Sequence, residues 1–353
     1  MKIGLIIYGS LDTMSGGYLY DRQLVSHLQG YGDEVQIFAL PWLGYGRHLS
    51  QNFTTQFYNQ LRKAKLSLLL QDELNHPSLF WFNHRLRPYT QYPIISVVHH
   101  LRINEARPRW QNRVYGWVER WYLRSVDGFI FNSLTTRYTV EQMVGHSKPH
   151  VVAYPGSNRF DMRLEPHTIA ARAYDGDKLR VLFVGNLIER KGLHVLIAAL
   201  AQLPSDVWQL DVVGNTAVSP LYTQSITQRL NGSAVTLHGS LSDEALAALM
   251  KQSHVLAVPS SYEGFGIVYA EGMSVGLPAI GTTAGAAREI IRQGENGYLV
   301  EPNDADLLAQ RLRQMQQDRH LLARMSLAAF NYSQQHATWS ESMHKVRQFL
   351  LEF

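Results

Sequence analysis

Along the first half of the chain, compact apolar runs alternate with longer segments whose apolar positions recur every three or four residues. The runs lie at 3–8, 35–40, 66–70, 94–98, 128–131 and 150–153, and the helical spacing at 17–29, 50–65, 108–124 and 134–144. Strand-length runs separated by helices predict a parallel, doubly wound α/β sheet. The pattern lapses over 156–178, where Gly, Asn, Pro, Asp and charges are frequent, and this reads as a linker. It resumes with runs at 179–184, 209–213, 234–238, 255–258, 278–281 and 298–300. Two such domains are therefore expected, 1–165 and 176–332, followed by a C-terminal helical segment 333–353. Gln335-His-Ala-Thr-Trp-Ser340 interrupts the last helical patterns. In sheets of this kind ligands bind beyond the carboxyl ends of the strands, so strand-end residues carry the chemistry.

A chain of 353 residues with 45% hydrophobic content suits two domains with sizeable cores. It holds no cysteine, which excludes disulfides and thiolate metal sites and fits a reducing cytoplasm. Met1-Lys-Ile-Gly-Leu-Ile-Ile-Tyr8 is too short an apolar run for a signal peptide and reads as a buried first strand. No apolar run approaches the roughly 18 residues of a membrane span, so a soluble, cytoplasmic protein is expected. Charge is divided unevenly: residues 1–174 hold 19 Lys+Arg against 12 Asp+Glu, and 175–353 hold 14 against 17. An excess of seven positive charges in the first part calls for an anionic partner there, and no nucleic-acid motif accompanies it. Within 108–124 two stripes recur at helical spacing. Trp110, Val114, Trp117 and Trp121 read as core contact. Arg109, Arg113, Arg120 and Arg124 read as a solvated face, or as a surface for an acidic acceptor or the anionic inner face of a membrane.

The strand ends narrow the chemistry. After the first strand comes Gly9-Ser-Leu-Asp-Thr-Met-Ser-Gly-Gly17, which lacks the dinucleotide Gly-x-Gly-x-x-Gly; Gly16 and Gly17 would let a phosphate or sugar approach the backbone. The third run enters the polar cluster Gln71-Asp-Glu-Leu-Asn-His-Pro77, and the fourth ends in His99-His100, of which one at most should face a cleft. In the second domain the run 255–258 leads into Ser260-Ser-Tyr-Glu-Gly-Phe-Gly-Ile267, then a helix beginning near Phe265 that carries Glu271. A glycine turn at a helix N-terminus suits an anion, while carboxylates there suit hydroxyls. Together they predict a phosphate-bearing, polyhydroxylated ligand, a nucleotide sugar. Gly185-Asn-Leu-Ile-Glu-Arg-Lys-Gly192 adds Arg190 and Lys191 beside another helix start, cations that a leaving diphosphate needs. Asp304-Ala-Asp306 resembles a metal motif on paper but stands where a helix cap and first-turn acid belong. No metal or cofactor is expected.

With these residues in view, the chain resembles the retaining family-4 glycosyltransferases of the GT-B fold, over nearly its whole length and most strongly from 179 to 301. Glu263 and Glu271 match the family's Glu-x7-Glu motif, Lys191-Gly192 its phosphate loop, Gly16-Gly17 its glycine loop and His99 its strand-end histidine. The resemblance implies two Rossmann-like domains facing across a cleft, with a last helix returning to the first domain. It implies catalytic roles for Glu263, His99 and Lys191, with Glu263 beside the transferred sugar. It also implies donor contacts from Gly16, Gly17, Gly185, Asn186, Arg190, Lys191, Gly264, Phe265, Gly266 and Ile267, and a ribose clamp at Glu271. Asn186 departs from the family, which usually has Arg there, and Arg190 is the candidate replacement. The implied reaction moves a sugar from a nucleotide sugar, UDP-linked before GDP-linked, to a glycan, lipid-linked or small hydroxyl acceptor. The alternatives are an epimerase or phosphorylase on the same fold, or a non-catalytic glycan-binding subunit.

Overall fold

A computed structural model describes residues 1–160, 164–230 and 234–353. The chain divides into two compact units, one of Met1–Pro155 with Trp339–Phe353, the other of Gly156–Thr338.

The first unit carries a six-stranded sheet of β1 (Lys2–Tyr8), β2 (Glu34–Leu40), β3 (Leu68–Asp72), β4 (Ile94–Val98), β5 (Gly128–Phe131) and β6 (His150–Val152). All pairs are parallel, in the order β2-β1-β3-β4-β5-β6. Every residue of β3 and β4 is buried, which is why these strands read as unbroken apolar runs instead of alternating. Helix α1 (Gly16–Gly30) follows β1, its first turn capped by Ser15 Oγ, which accepts from the Tyr18 amide at 3.3 Å. Helix α2 (Arg109–Ser125) follows β4. The C-terminal helix Trp339–Leu350 joins this unit: Arg347 Nε donates to Asp33 at 2.8 Å and Lys345 Nζ to the Val152 carbonyl at 2.8 Å. The chain order reverses between β1 and β3, which makes their carboxyl ends the switch point where ligands bind.

The second unit repeats the plan with β7 (Leu179–Val184), β8 (Trp208–Val213), β9 (Val235–Gly239), β10 (Val255–Ala257), β11 (Ala279–Thr282) and β12 (Gly297–Val300). The order is β12-β11-β10-β7-β8-β9, again all parallel, so its switch point lies between β7 and β10. Helices α3 (Leu193–Leu200), α4 (Asp243–Gln252) and α5 (Ile267–Ser274) stand after β7, β9 and β10. No helix among the described residues is long and apolar enough to cross a membrane.

Several expectations need correction. The helix expected at 50–65 is shorter, Thr55–Lys63, because a 3-10 turn at Gln51–Phe53 and an extended Thr54 precede it, and a separate helix, Tyr45–Ser50, stands before them. The third strand runs on to Asp72, drawing Gln71 and Asp72 out of the expected loop. Part of the expected linker is the helix Pro166–Arg172, where buried Arg172 donates to the carbonyls of Val275 (2.9 Å) and Gly276 (2.6 Å); residues 161–163 of that linker lie outside the described residues. The helix expected from Phe265 starts at Ile267, since Gly266 takes the left-handed conformation at φ +90°. Three of the four stripe residues of α2 are not core, Trp110, Val114 and Trp117 being 66%, 49% and 54% exposed, while Trp121 is half-buried against Trp81, with ring centroids 6.1 Å apart. Val118, Glu119, Tyr122 and Leu123 are the face that α2 buries.

Candidate active site

The β7 and β10 loops of the second unit are tied together at the switch point. Gly192, at φ +73°, lets the two backbones meet; a Cβ there would stand 2.1 Å from the Pro259 carbonyl oxygen. The Ser261 amide donates to the Arg190 carbonyl and Arg190 Nη1 to the Tyr262 carbonyl, each at 2.8 Å. This frame delivers Lys191 to Glu263. The Glu263 Oε1 accepts from Lys191 Nζ and from Ser260 Oγ, each at 2.6 Å, and Arg190 Nη1 stands 3.9 Å from Oε2. Burial alone would raise the Glu263 carboxyl, but Lys191 and Arg190 override it and hold it at about 2. Burial pulls the Lys191 ammonium down more strongly than Glu263 draws it up. A short, Ser-braced contact with a carboxylate keeps the pair ionised.

The other residues expected to contact a donor lie in the loops after β7 and β10 or in α5. Gly185 directly follows β7 and has no side chain to displace the Lys191 stem, which a Cβ there would touch at 3.4 Å. Asn186 is half-buried, its carbonyl accepting from the Ile188 amide at 2.8 Å. Gly264 lies in the turn. Phe265 is buried and stacks on His336 with ring centroids 5.9 Å apart. Gly266 caps α5, and Ile267 opens it. Glu271, in the second turn of α5, is buried but does not join the Glu263 cluster. Its partner is Arg159 Nη1 at 2.8 Å, whose Nη2 and Nε grip Asp243 at 2.6 and 3.1 Å. Burial raises the Glu271 carboxyl despite Arg159.

In the first unit, Gly16 and Gly17 open α1, and Gly17 lies against His99; a Cβ at 17 would come within 3.2 Å of the ring. His99 follows β4, and its Nε2 stands 2.9 Å from Oδ1 of Asp21, a fully buried residue of α1. The expected divergence of the two histidines is visible in their partners, for His100 pairs instead with Glu105 at 3.4 Å. The end of β3 is strongly acidic. Burial and Asp21 push the Asp72 carboxyl up to about 7, and burial pushes Glu73 up to about 8. Among the described residues two groups place carboxylate and ring-nitrogen atoms within 4.8 Å of one another: Asp21 with Asp72 and His99, and Glu73 with His76 and Glu119. The second is a poor metal site. His76 Nδ1 lies 3.1 Å from the Glu73 carbonyl and 2.9 Å from its carboxylate, so it carries a proton, while Nε2 meets the Tyr45 hydroxyl at 3.3 Å.

The structure thus brings Arg190 and Lys191 to Glu263, Gly185 to the Lys191 stem and Gly17 to His99, while Glu271 has its own cation. Sequence reading missed Asp21, Glu119 and Arg159. The first two had a signal: Asp21 shares the buried face of Tyr18, Leu24 and Leu28, and Glu119 that of Val118 and Tyr122. Arg159 had none, sitting in the aperiodic stretch before Pro166.

Comparison with known proteins bears on the same region. Residues 167–332 match the family described as glycosyl transferases group 1. The chain is 29% identical over 175 residues to an uncharacterized glycosyltransferase of Methanocaldococcus jannaschii, covering 49% of this chain and 48% of that protein. It therefore spans about half the length of that curated relative. Sucrose-phosphate synthase from Thermosynechococcus elongatus superposes with a TM-score of 0.86 at 22% identity, over 99% of this chain and 98% of that one. HepE of Anabaena, solved in complex with UDP and glucose, gives 0.77 at 20% identity over the whole of both chains. At such identities the likeness is one of fold, and that fold is GT-B. Residues 167–332, the segment that matches the group 1 glycosyl transferases, are also the segment that holds Lys191, Glu263 and Glu271.

Proposed function

We propose that the protein is a retaining glycosyltransferase that moves a sugar from a nucleoside-diphosphate sugar to a hydroxyl acceptor. The observation that carries this reading is the Lys191–Glu263 pair at 2.6 Å, set at the sheet's switch point beside Arg190 and the start of α5. In the reaction the bond from the anomeric carbon to the diphosphate breaks, and the acceptor oxygen bonds to that carbon on the same face. The acceptor proton passes to the departing phosphate oxygen. The diphosphate gains negative charge as it leaves, and Lys191 and Arg190 stabilise it, aided by the α5 N-terminus. Glu263, held ionised, accepts hydrogen bonds from hydroxyls of the transferred sugar, and Glu271 does so from the ribose. Gly185, Gly264, Gly266 and Ile267 contribute backbone contacts, and His99 with Gly16 and Gly17 the first unit's share. Cations of the chain do the work of a metal, so none is required.

UDP is the preferred nucleotide, on the analogy of HepE, whose structure holds it. The acceptor is a glycan or a lipid-linked hydroxyl. Exposed Arg109, Arg113, Arg120 and Arg124 stand on α2 beside exposed Trp110 and Trp117, a combination that fits an anionic membrane face. Incubation with UDP- and GDP-sugars and a panel of acceptors, read by NMR of the new anomeric centre, tests the reading. Retained configuration and undiminished turnover in EDTA are expected; inversion, or loss of activity to the chelator, would contradict it.

A further inference from the structure

The first unit holds a buried carboxylate, Asp21, to which the proposed reaction gives no role. Asp21 has no exposed surface, yet its carboxylate lies in the apolar face of α1 among Tyr18, Leu24 and Leu28. One oxygen, Oδ1, meets His99 Nε2 at 2.9 Å; the other, Oδ2, is buried without a hydrogen-bond partner. A buried carboxylate needs a hydrogen-bond donor, and preferably a cation, and among its hydrogen bonds that donor is His99. The imidazole is held from other sides as well. Tyr20 packs T-shaped against it with centroids 5.1 Å apart, Gly17 leaves the ring the space that a Cβ would enter to within 3.2 Å, and Asn132 Nδ2 donates to the His99 carbonyl at 2.9 Å.

From this geometry we infer that Asp21 is a positioning residue, which fixes the His99 proton on Nε2 and so reserves Nδ1 for the nucleotide sugar. The role of Nδ1 rests on the glycosyltransferase reading; the Asp21–His99 coupling does not. With Nε2–H donating to Asp21, the neutral ring offers a lone pair at Nδ1, and the protonated ring offers an N–H there to a hydroxyl or phosphate oxygen. The acids that face the ring are Asp21 from α1 and Asp72 and Glu73 from the end of β3, and all three favour its protonated form. Asp21 is the one in hydrogen-bond contact.

Long-range proton–nitrogen NMR of the imidazole tests this on the wild-type chain alone. The expected spectrum shows Nε2 protonated in the neutral form and a titration midpoint above the ordinary histidine value of 6.5. In Asp21→Asn the amide oxygen can still accept from Nε2, so the tautomer persists while the midpoint falls by about one unit. Asp21→Ala loses both. In a transfer assay, Asp21→Asn shifts the pH profile of kcat/KM in parallel with the NMR midpoint, whereas Lys191→Ala lowers the profile without moving it. A wild-type proton on Nδ1, or a midpoint that Asp21→Asn leaves in place, would overturn the coupling. If the NMR results hold but no nucleotide sugar is turned over, the glycosyltransferase reading fails and the dyad stands without that substrate.

Discussion

Lys191 and Glu263 illustrate how much one contact is asked to do. Each charge would be costly inside a folded unit without the other, and removing one partner of a buried pair typically costs about 3–5 kcal/mol. Lys191→Ala and Glu263→Gln are therefore expected to lower the melting temperature, and in the folded fraction to reduce turnover on the order of 100-fold, as loss of a preorganised charge contact does. Steady-state kinetics beside a thermal melt checks both, and wild-type turnover in either variant would remove that residue from the mechanism. The pair also has a pH signature. The Glu263 carboxyl is held at about 2, below its ordinary value of 4.5, so its contribution to stability is complete above 4.5 and lost as pH falls through 2. The gap in unfolding free energy between wild type and Glu263→Gln should narrow over that window; a gap constant with pH would mean that Glu263 is not ion-paired. Residues such as these were legible from sequence because their neighbours are diagnostic: a glycine turn, a helix start, adjacent cations. Arg159 was not, because nothing in a local stretch shows which distant carboxylates, here Glu271 and Asp243, it will join.

At the scale of elements, the twelve strands among the described residues were readable as short runs, most plainly β3 and β4, which are buried at every residue and leave no polar positions to confuse the pattern, and least plainly the edge strand β9, which is half-buried or exposed throughout. Helix faces were harder. Periodicity says which side chains share a face but not whether another element covers that face. For this reason Trp110 and Trp117 of α2 emerge exposed while Glu119, on the opposite side, is buried beside Tyr122. The short helices His76–Leu79 and Phe82–Leu86 left no period to find. Loop geometry was visible only as glycine, without its reason. Gly192 supplies that reason, since its left-handed backbone passes the Pro259 carbonyl at a distance no Cβ tolerates. Gly192→Ala should destabilise the second unit by roughly 1–3 kcal/mol, the usual scale of such strain. It should also weaken UDP binding by displacing Lys191. Chemical denaturation with calorimetry measures both effects, and unchanged stability would contradict this account of the loop.

Across the whole molecule, the excess of positive charge in the first part of the chain gains a location, because four arginines of α2 share its exposed surface with two tryptophans. Co-sedimentation with vesicles containing an anionic lipid should be salt-sensitive, and replacing Arg113 and Arg120 by Gln together with Trp117 by Ala should weaken it several-fold, at about 1 kcal/mol per basic residue near a charged surface. Equal binding to neutral vesicles would contradict a role for the arginines, and no binding to either would exclude the membrane as their partner. The duplicated sheet plan was plain in the sequence, and so were the glycine turns, adjacent cations and carboxylates of the second unit, because these are local motifs. The acid cluster of the first unit was not, since it is assembled from α1, β3 and α2. The most direct test of the central claim is transfer itself: wild type and Lys191→Ala incubated with UDP-sugars and a hydroxyl acceptor panel, and the product's anomeric linkage read by NMR. A retained linkage is expected from wild type, and its formation should be nearly abolished in the variant. Binding of UDP or GDP with no transfer to any acceptor, or a product of inverted configuration, would contradict it.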